Sequence, residues 1–165
     1  MDQQVFAELN NGSILYQKYI FFETHMPILF LCESNEGCLY ICVMFDDRDG
    51  LNWIASPTNL SYLDDMVFNK ITLRKLFELS VNISAHSWLL WISNKDLKTK
   101  QVEFSEINPL DLPSDDYFDA DINEVMDYVH ALNRFYFRRV APKTDYEFNA
   151  KNFTQSAKNQ ANRTY

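Results

Sequence analysis

The residues with the clearest chemical potential in this sequence are acidic and lie just before its last predicted helix. Asp115, Asp116, Asp119 and Asp121 fall within seven consecutive positions. Calcium loops alternate oxygen ligands around a glycine and close with a Glu, whereas this stretch has no glycine and follows Pro113. We therefore predict no metal here. A solvated acidic loop is the simplest interpretation. The second interpretation is an anionic surface that docks a basic partner, with Asp115, Asp116 and Asp119 as candidate contacts.

Three cysteines and a histidine also invite a metal hypothesis. Cys32, Cys38, Cys42 and His25 lack the C-x2-C spacing of zinc sites. Cys38 and Cys42 lie four residues apart in a predicted strand, which separates them by about 13 Å at ~3.3 Å per residue. A hairpin would place Cys32 and Cys38 opposite each other. Free cysteines commonly fill a core, and an odd number indicates reduced thiols in a cytosolic protein. We predict no cofactor.

No catalytic motif accompanies the remaining ionisable residues. His86 and His130 have no neighbouring nucleophile motif, and G-x-S-x-G is absent. The sequence holds only 3 glycines, and these are scattered, so a phosphate-binding loop is not expected. The enzyme hypothesis that remains is a metal-dependent hydrolase or nuclease using the acidic stretch with one of these histidines.

Charge is divided unevenly along the 165 residues. Residues 1–133 contain 21 acidic and 8 basic side chains, whereas residues 134–165 contain 7 basic and 2 acidic ones. The net charge of −8 disfavours general nucleic-acid binding, which requires Lys and Arg to neutralise phosphates. No apolar run approaches the ~20 residues of a membrane span, and the N-terminus lacks the features of a signal peptide. We expect a cytoplasmic protein that does not enter membranes.

The basic C-terminal segment is studded with aromatic residues, which often anchor binding partners. Its charge and aromatic content predict contacts with a protein partner. The predicted anchors are Tyr146, Phe148 and Phe153, with Arg138, Arg139 and Lys143 steering association. An alternative is that this segment of one copy lies on the acidic surface of another, which would give a homo-oligomer.

The elements that must position these residues alternate between strand and helix. Apolar and β-branched runs predict a four-strand meander and a later hairpin. The second and third strands are apolar at consecutive positions, so both of their faces should be covered. The six predicted strands, in chain order, are Ser13–Phe22, Met26–Glu33, Cys38–Phe45, Leu51–Ala55, Ser87–Ser93 and Thr99–Ile107.

Helix signals separate and follow these strands. Pro57 begins a first short helical stretch, and Thr72 is a good N-cap for a second. Asp121 starts a capping-box pattern and a long amphipathic helix that ends at Pro142. The predicted fold is α+β: a curved antiparallel sheet of about six strands with two short helices and one long C-terminal helix. Residues 1–141 are expected to form a single domain, with residues 142–165 as a tail.

Two segments resemble a family of small uncharacterised bacterial proteins. Residues 27–32 read P-I-L-F-L-C and open a strand–turn–strand, and residues 70–77 read K-I-T-L-R-K-L-F and lead into a short helix. The similarity covers roughly residues 13–110. It implies a bacterial or mobile-element intracellular protein, and it carries no catalytic residue to transfer.

The leading functional prediction is a non-enzymatic protein-interaction module. An antitoxin, an immunity protein or an accessory subunit of a bacterial antiphage defence or toxin system would have these features. The acidic body, the aromatic tail and the lack of catalytic motifs motivate this prediction.

Overall fold

The computed structural model describes residues 3–45 and 50–136. Within these ranges, seven strands and three α-helices follow one another along the chain. The strands are β1 (Gln4–Glu8), β2 (Ile14–Glu23), β3 (Pro27–Ser34), β4 (Leu39–Phe45), β5 (Asn52–Thr58), β6 (His86–Ser93) and β7 (Asp96–Glu103). The helices are α1 (Leu60–Val67), α2 (Leu73–Glu78) and α3 (Ile122–Tyr136). The fold is therefore α+β.

The strands form one antiparallel sheet in which each strand pairs with its neighbours in the chain, in the order β1 to β7. The central strands bury both faces because successive side chains point to opposite sides of the sheet. Leu31 and Ile41 belong to one core cluster, whereas Phe30 and Cys42 belong to the other. The prediction that the second and third predicted strands are covered on both faces is confirmed.

The sheet curls around the second of these clusters. Phe6 of β1 packs edge-on against Phe30 and Trp53, with ring centroids 4.9 and 5.5 Å apart. The turn after β1 reaches the last strand, where the backbone N–H of Asn10 donates to Oγ1 of Thr99 at 2.9 Å. The predicted curvature is thus confirmed, and it brings the first and last strands together at one end.

The three helices cover the opposite face. Leu63 of α1, Phe77 of α2 and Leu132 of α3 are fully buried in the first cluster. Burying one such side chain is worth about 1.5–3 kcal/mol. Thr72 caps α2 as predicted, since its side-chain oxygen accepts from the backbone N–H of Lys75. Helix packing on this face positions α3 and the loop that joins β7 to it.

The sequence predicted six strands, whereas the structure has seven in the described residues. The missed strand, β1, is short, lies at the sheet edge and buries only Ala7 among its five residues, so its apolar signal is weak. Pro57 was expected to begin a helix but lies in β5 opposite Tyr40. Pairing between β5 and β6 ends at Ala55, so the missing N–H of Pro57 removes no hydrogen bond to that strand. Helix α1 begins instead after its N-cap, Asn59.

The last hairpin is tighter than expected. The predicted strands Ser87–Ser93 and Thr99–Ile107 leave a five-residue loop between them, but β7 already begins at Asp96. Asn94 and Lys95 both have positive φ values, 51° and 68°, which is the backbone of a two-residue hairpin turn matching the twist of the strands. The pairing of Ser93 with Asp96 follows from this turn. The predicted domain boundary and tail lie outside the described residues.

Candidate functional site

The acidic loop between β7 and α3 is anchored on the helices. Thr72 Oγ1 donates to a carboxylate oxygen of Asp115 at 2.6 Å, and the backbone N–H of Leu73 donates to the carbonyl of Asp116 at 2.8 Å. The backbone N–H of Asp119 donates to the side-chain oxygen of Asn69 at 3.0 Å. These contacts hold the loop to the start of α2 and the end of α1, so its carboxylates project from a fixed backbone.

The three predicted acidic contact residues therefore lie on one anchored loop, and all three are exposed. Asp115 has a structural contact as well, because its carboxylate accepts the hydroxyl of the α2 N-cap. The carboxylates of Asp116 and Asp119 have no hydrogen bond to another described residue. Sequence reasoning gave the charge of this loop, and the backbone hydrogen bonds to α1 and α2 supply its rigidity.

The first turns of α3 extend the negative charge. Asp121 caps this helix, since its Oδ1 accepts from the backbone N–H of Glu124 at 2.8 Å. Glu124 and Asp127 follow at three-residue spacing, which places them on one side of the helix. All are exposed. We call the following six residues the acidic face: Asp115, Asp116, Asp119, Asp121, Glu124 and Asp127.

A groove runs between β2 and α3 beside this face, with a volume of about 410 Å³. Its floor is aromatic. Phe21 contacts Tyr19, Phe118 and Tyr128, with ring centroids 5.0, 5.9 and 5.6 Å apart and steep angles between the ring planes. Glu124 and Asp127 line one side. We call this the aromatic groove, and it combines apolar ring surface with two carboxylates.

Electrostatics in the groove favour a positive ligand. Burial, and then the hydrogen bond from its hydroxyl to Asp127 Oδ2 at 2.7 Å, raise the pKa of Tyr19 above its ordinary value. Partial burial, and then the negative charge of Asp121, raise the pKa of Glu124. Burial and the nearby negative charge of Asp121 both disfavour the ionised form of Glu124, whereas a cation beside it would favour that form.

Among the described residues, no Lys or Arg forms a salt bridge with the acidic face. Between residues in these ranges, the one salt bridge joins Lys18 and Glu33 at 3.6 Å. Arg134, at the far end of α3, lies over the ring of Phe135 at 5.0 Å instead. Arg74 donates to the carbonyl of Pro109 at 3.0 Å and helps to hold the loop. The negative potential of the face is thus not cancelled by the part of the chain that the structure describes.

Two of the three cysteines fill the core as predicted, and the third does not. Cys32 pairs with Tyr40, not with Cys38, because β4 begins one residue after Cys38. Cys32 and Cys42 are fully buried on the same face, and Cys38 is exposed. Burial, and then the hydrogen bond with Cys32, raise the pKa of the Cys42 thiol. Across the described ranges, no three His, Cys, Asp or Glu side chains are grouped to hold a metal ion.

Other sequence hypotheses have plain structural outcomes. His25, His86 and His130 are exposed, on a turn, on β6 and on α3 respectively. In the portion of the chain that is described, no helix is long and apolar enough to cross a bilayer. The six predicted contacts of the C-terminal segment lie outside the described residues: Arg138, Arg139, Lys143, Tyr146, Phe148 and Phe153.

Sequence reasoning missed the groove itself. In the sequence, Glu124 and Asp127 are ordinary acids near the start of a helix, where they complement its dipole, and Tyr19 and Phe21 are ordinary residues of a predicted strand. The usable signal was the i, i+3 spacing of acids at 121, 124 and 127, which predicts one charged helix side. The pairing of that side with β2 depends on tertiary packing. No protein-family model, curated protein or solved structure matches this chain.

Proposed function

We propose that this protein is a non-enzymatic interaction module that binds a basic surface of a protein partner through the acidic face. The observation that carries the proposal is an anchored loop of carboxylates that no described Lys or Arg pairs, next to an aromatic groove. Because the backbone under these charges is already held, binding would cost little conformational entropy in the loop.

Apolar residues near the acidic face give the proposed surface contact area. Tyr117 in the loop is 54% exposed, and Leu110 near its start is 89% exposed. Aromatic anchors surrounded by charge are typical of protein interfaces, in which packing supplies affinity and charge supplies steering. The proposed partner therefore presents Lys or Arg beside an apolar patch.

The proposed biological class is an antitoxin, immunity protein or accessory subunit of a bacterial defence or toxin system, acting in the cytoplasm. Support comes from the resemblance of residues 27–32 and 70–77 to small bacterial proteins and from the absence of catalytic motifs in the sequence. In the same proposal, Tyr146, Phe148 and Phe153 of the C-terminal segment provide further anchors, with its basic residues steering association.

The experiment begins with crosslinking and mass spectrometry in the native host to identify the partner, followed by binding measurements with purified proteins. The charge-reversal variant Asp116→Lys/Glu124→Lys tests the acidic face. The control Glu8→Lys/Asp96→Lys makes the same change in net charge at exposed acids of β1 and β7. We expect the acidic-face variant to bind at least roughly tenfold more weakly, chiefly through a slower association rate at low salt.

Equal loss of affinity in the two variants would mean that net charge, and not the acidic face, governs binding. A second comparison deletes residues 142–165. If the same partner binds the deleted protein with unchanged strength, the proposed anchors in the C-terminal segment are wrong while the acidic face remains testable on its own.

A further inference from the structure

The aromatic groove combines ring surface with carboxylates on a side that is open to solvent. Phe21 and Phe118 meet at an interplanar angle of 87°, with ring centroids 5.9 Å apart. Phe21 is buried and Phe118 is half-buried, whereas Glu124 and Asp127, which line the groove from α3, are exposed. The groove is therefore open to solvent where it meets the acidic face.

The carboxylates beside the groove have capacity for further hydrogen bonds. Asp127 Oδ2 accepts from the hydroxyl of Tyr19 at 2.7 Å, and its Oδ1 has no hydrogen bond to a described residue. Glu124 lies one turn earlier on α3, next to the negatively charged Asp121. No described Lys or Arg forms a salt bridge with any of these three acids. A cation that donates several N–H bonds would occupy the open oxygen and reduce the repulsion between the carboxylates.

The guanidinium group of arginine matches both parts of the groove. It is planar and more weakly hydrated than an ammonium group, so it stacks on aromatic faces while its fork of N–H groups reaches carboxylates. The ammonium group of lysine is compact and strongly hydrated, and it offers no flat surface to the rings. The charge and the rings of the groove therefore favour arginine over lysine.

The shape of the groove favours a side chain that enters from a protein surface. Its volume of about 410 Å³ is in the range of ligand pockets, but such pockets bury most of a small molecule's surface. Here the side formed by Glu124 and Asp127 is exposed. An arginine presented by a partner that covers the acidic face would close that side itself.

We propose that the aromatic groove receives an arginine side chain of the protein partner, with its guanidinium against Phe21 and Phe118 and hydrogen-bonded to Glu124 and Asp127. This inference rests on the proposed function and names the side chain that the partner presents. Arginine is enriched among the residues that dominate binding energy at interfaces. The acidic loop then steers the partner by charge, and the groove selects arginine.

The test titrates the ¹⁵N-labelled chain of 165 residues with the capped tripeptide acetyl-Gly-Arg-Gly-amide at low salt and follows backbone amide shifts by NMR. We expect the largest shifts at Phe21, Phe118 and Glu124. The corresponding lysine peptide should bind roughly threefold more weakly. The citrulline peptide, which keeps the planar shape but has no charge, should bind roughly tenfold more weakly.

Variants test the charges and the rings of the groove separately. Glu124→Gln/Asp127→Asn should weaken the arginine peptide by roughly fivefold or more. The matched control Glu8→Gln/Asp96→Asn removes the same charge from exposed positions of β1 and β7 and should change binding by less than about twofold. Phe118→Leu keeps an apolar side chain and removes the ring, and it should weaken the peptide roughly twofold to fivefold.

Thermal unfolding verifies that every variant remains folded. Equal binding of the arginine and citrulline peptides would overturn the inference, as would equal effects of the groove and control variants. Light scattering that shows a dimer, lost in Glu124→Gln/Asp127→Asn, would also overturn it, because the occupant would then be a second copy of this chain.

A further variant separates this inference from the proposed function. Asp116→Asn/Asp119→Asn alters the acidic loop, leaves Glu124 and Asp127 in place, and is measured against the protein partner. If it weakens the partner while the peptides bind without discrimination, the arginine inference is overturned and the proposed function stands. If the partner ignores it while the arginine peptide requires Glu124 and Asp127, arginine recognition by the groove is supported and the proposed function fails.

Discussion

Tyr128 offers a sharp test of how α3 is fixed over the sheet and α1. Its side chain is 1% exposed, and its ring lies against Phe21 and Tyr19 in the floor of the aromatic groove. Its hydroxyl donates to Oδ1 of Asp64 on α1 at 2.8 Å. The substitution Tyr128→Phe removes this hydroxyl and keeps the ring, so it isolates the polar link between the two helices.

The size of the effect follows from the acceptor and its surroundings. A hydrogen bond to a charged group contributes about 1.5–3 kcal/mol. Asp64 is half-buried and has other interactions, so part of that loss is recovered by solvent and neighbours. We expect Tyr128→Phe to lower the free energy of unfolding by about 1–2 kcal/mol, which for an ordered region of this size lowers Tm by roughly 4–8 °C.

The assay is urea unfolding followed by tryptophan fluorescence. Tyr62→Phe is the matched control, since its hydroxyl makes only an exposed 3.4 Å contact with Asn82 and its removal should cost less than about 0.5 kcal/mol. A double-mutant cycle with Asp64→Asn should show a positive coupling energy of about 1 kcal/mol. Equal losses for Tyr128→Phe and Tyr62→Phe, or a coupling energy of zero, would refute the assigned link.

Three further outcomes are expected. In the native protein only the exposed Cys38 should react rapidly with a thiol reagent, and all three cysteines should react after denaturation; rapid reaction of three native thiols would contradict the buried positions of the other two. The pKa of Tyr19 is raised above its ordinary 10.0, so the stability that it contributes is present below pH 10 and is lost as pH rises further. Tyr19→Phe should therefore flatten the alkaline decline in Tm. An unchanged decline would count against the contact with Asp127. The pKa of Glu124 is raised above 4.5, so its favourable contribution to folding stability is present at acidic pH and is lost as pH rises. Glu124→Gln should therefore not lower Tm at pH 7. A lower Tm would show that the carboxylate is stabilising.

Much of the fold was predictable because its signals are local. The turn at Ser34–Gly37 follows from a glycine that adopts a φ of +89°. The N-caps Thr72 and Asp121 follow from side chains that accept from the backbone N–H three residues further along. The helix starts at Thr72 and Asp121 were predictable because each cap interaction is complete within one turn, whereas the start of α1 was misplaced at Pro57. Strand β1 was missed because an edge strand needs few apolar residues and its partner supplies the pairing.

The properties that could be predicted were again those that depend on local sequence. The sequence by itself determined the α+β class, the double-sided burial of β3 and β4, and the concentration of carboxylates before and within α3. These properties depend on side-chain type and spacing along a short stretch of chain.

Only the tertiary structure decided which of those residues act together. Asp115 meets Thr72 across 43 positions of sequence, and Tyr19 meets Asp127 across 108. Such pairs form because α3 packs on the sheet and the loop is held by α1 and α2, and no local pattern encodes those distances. The sequence supplied the negative charge, and long-range packing placed it beside an aromatic groove.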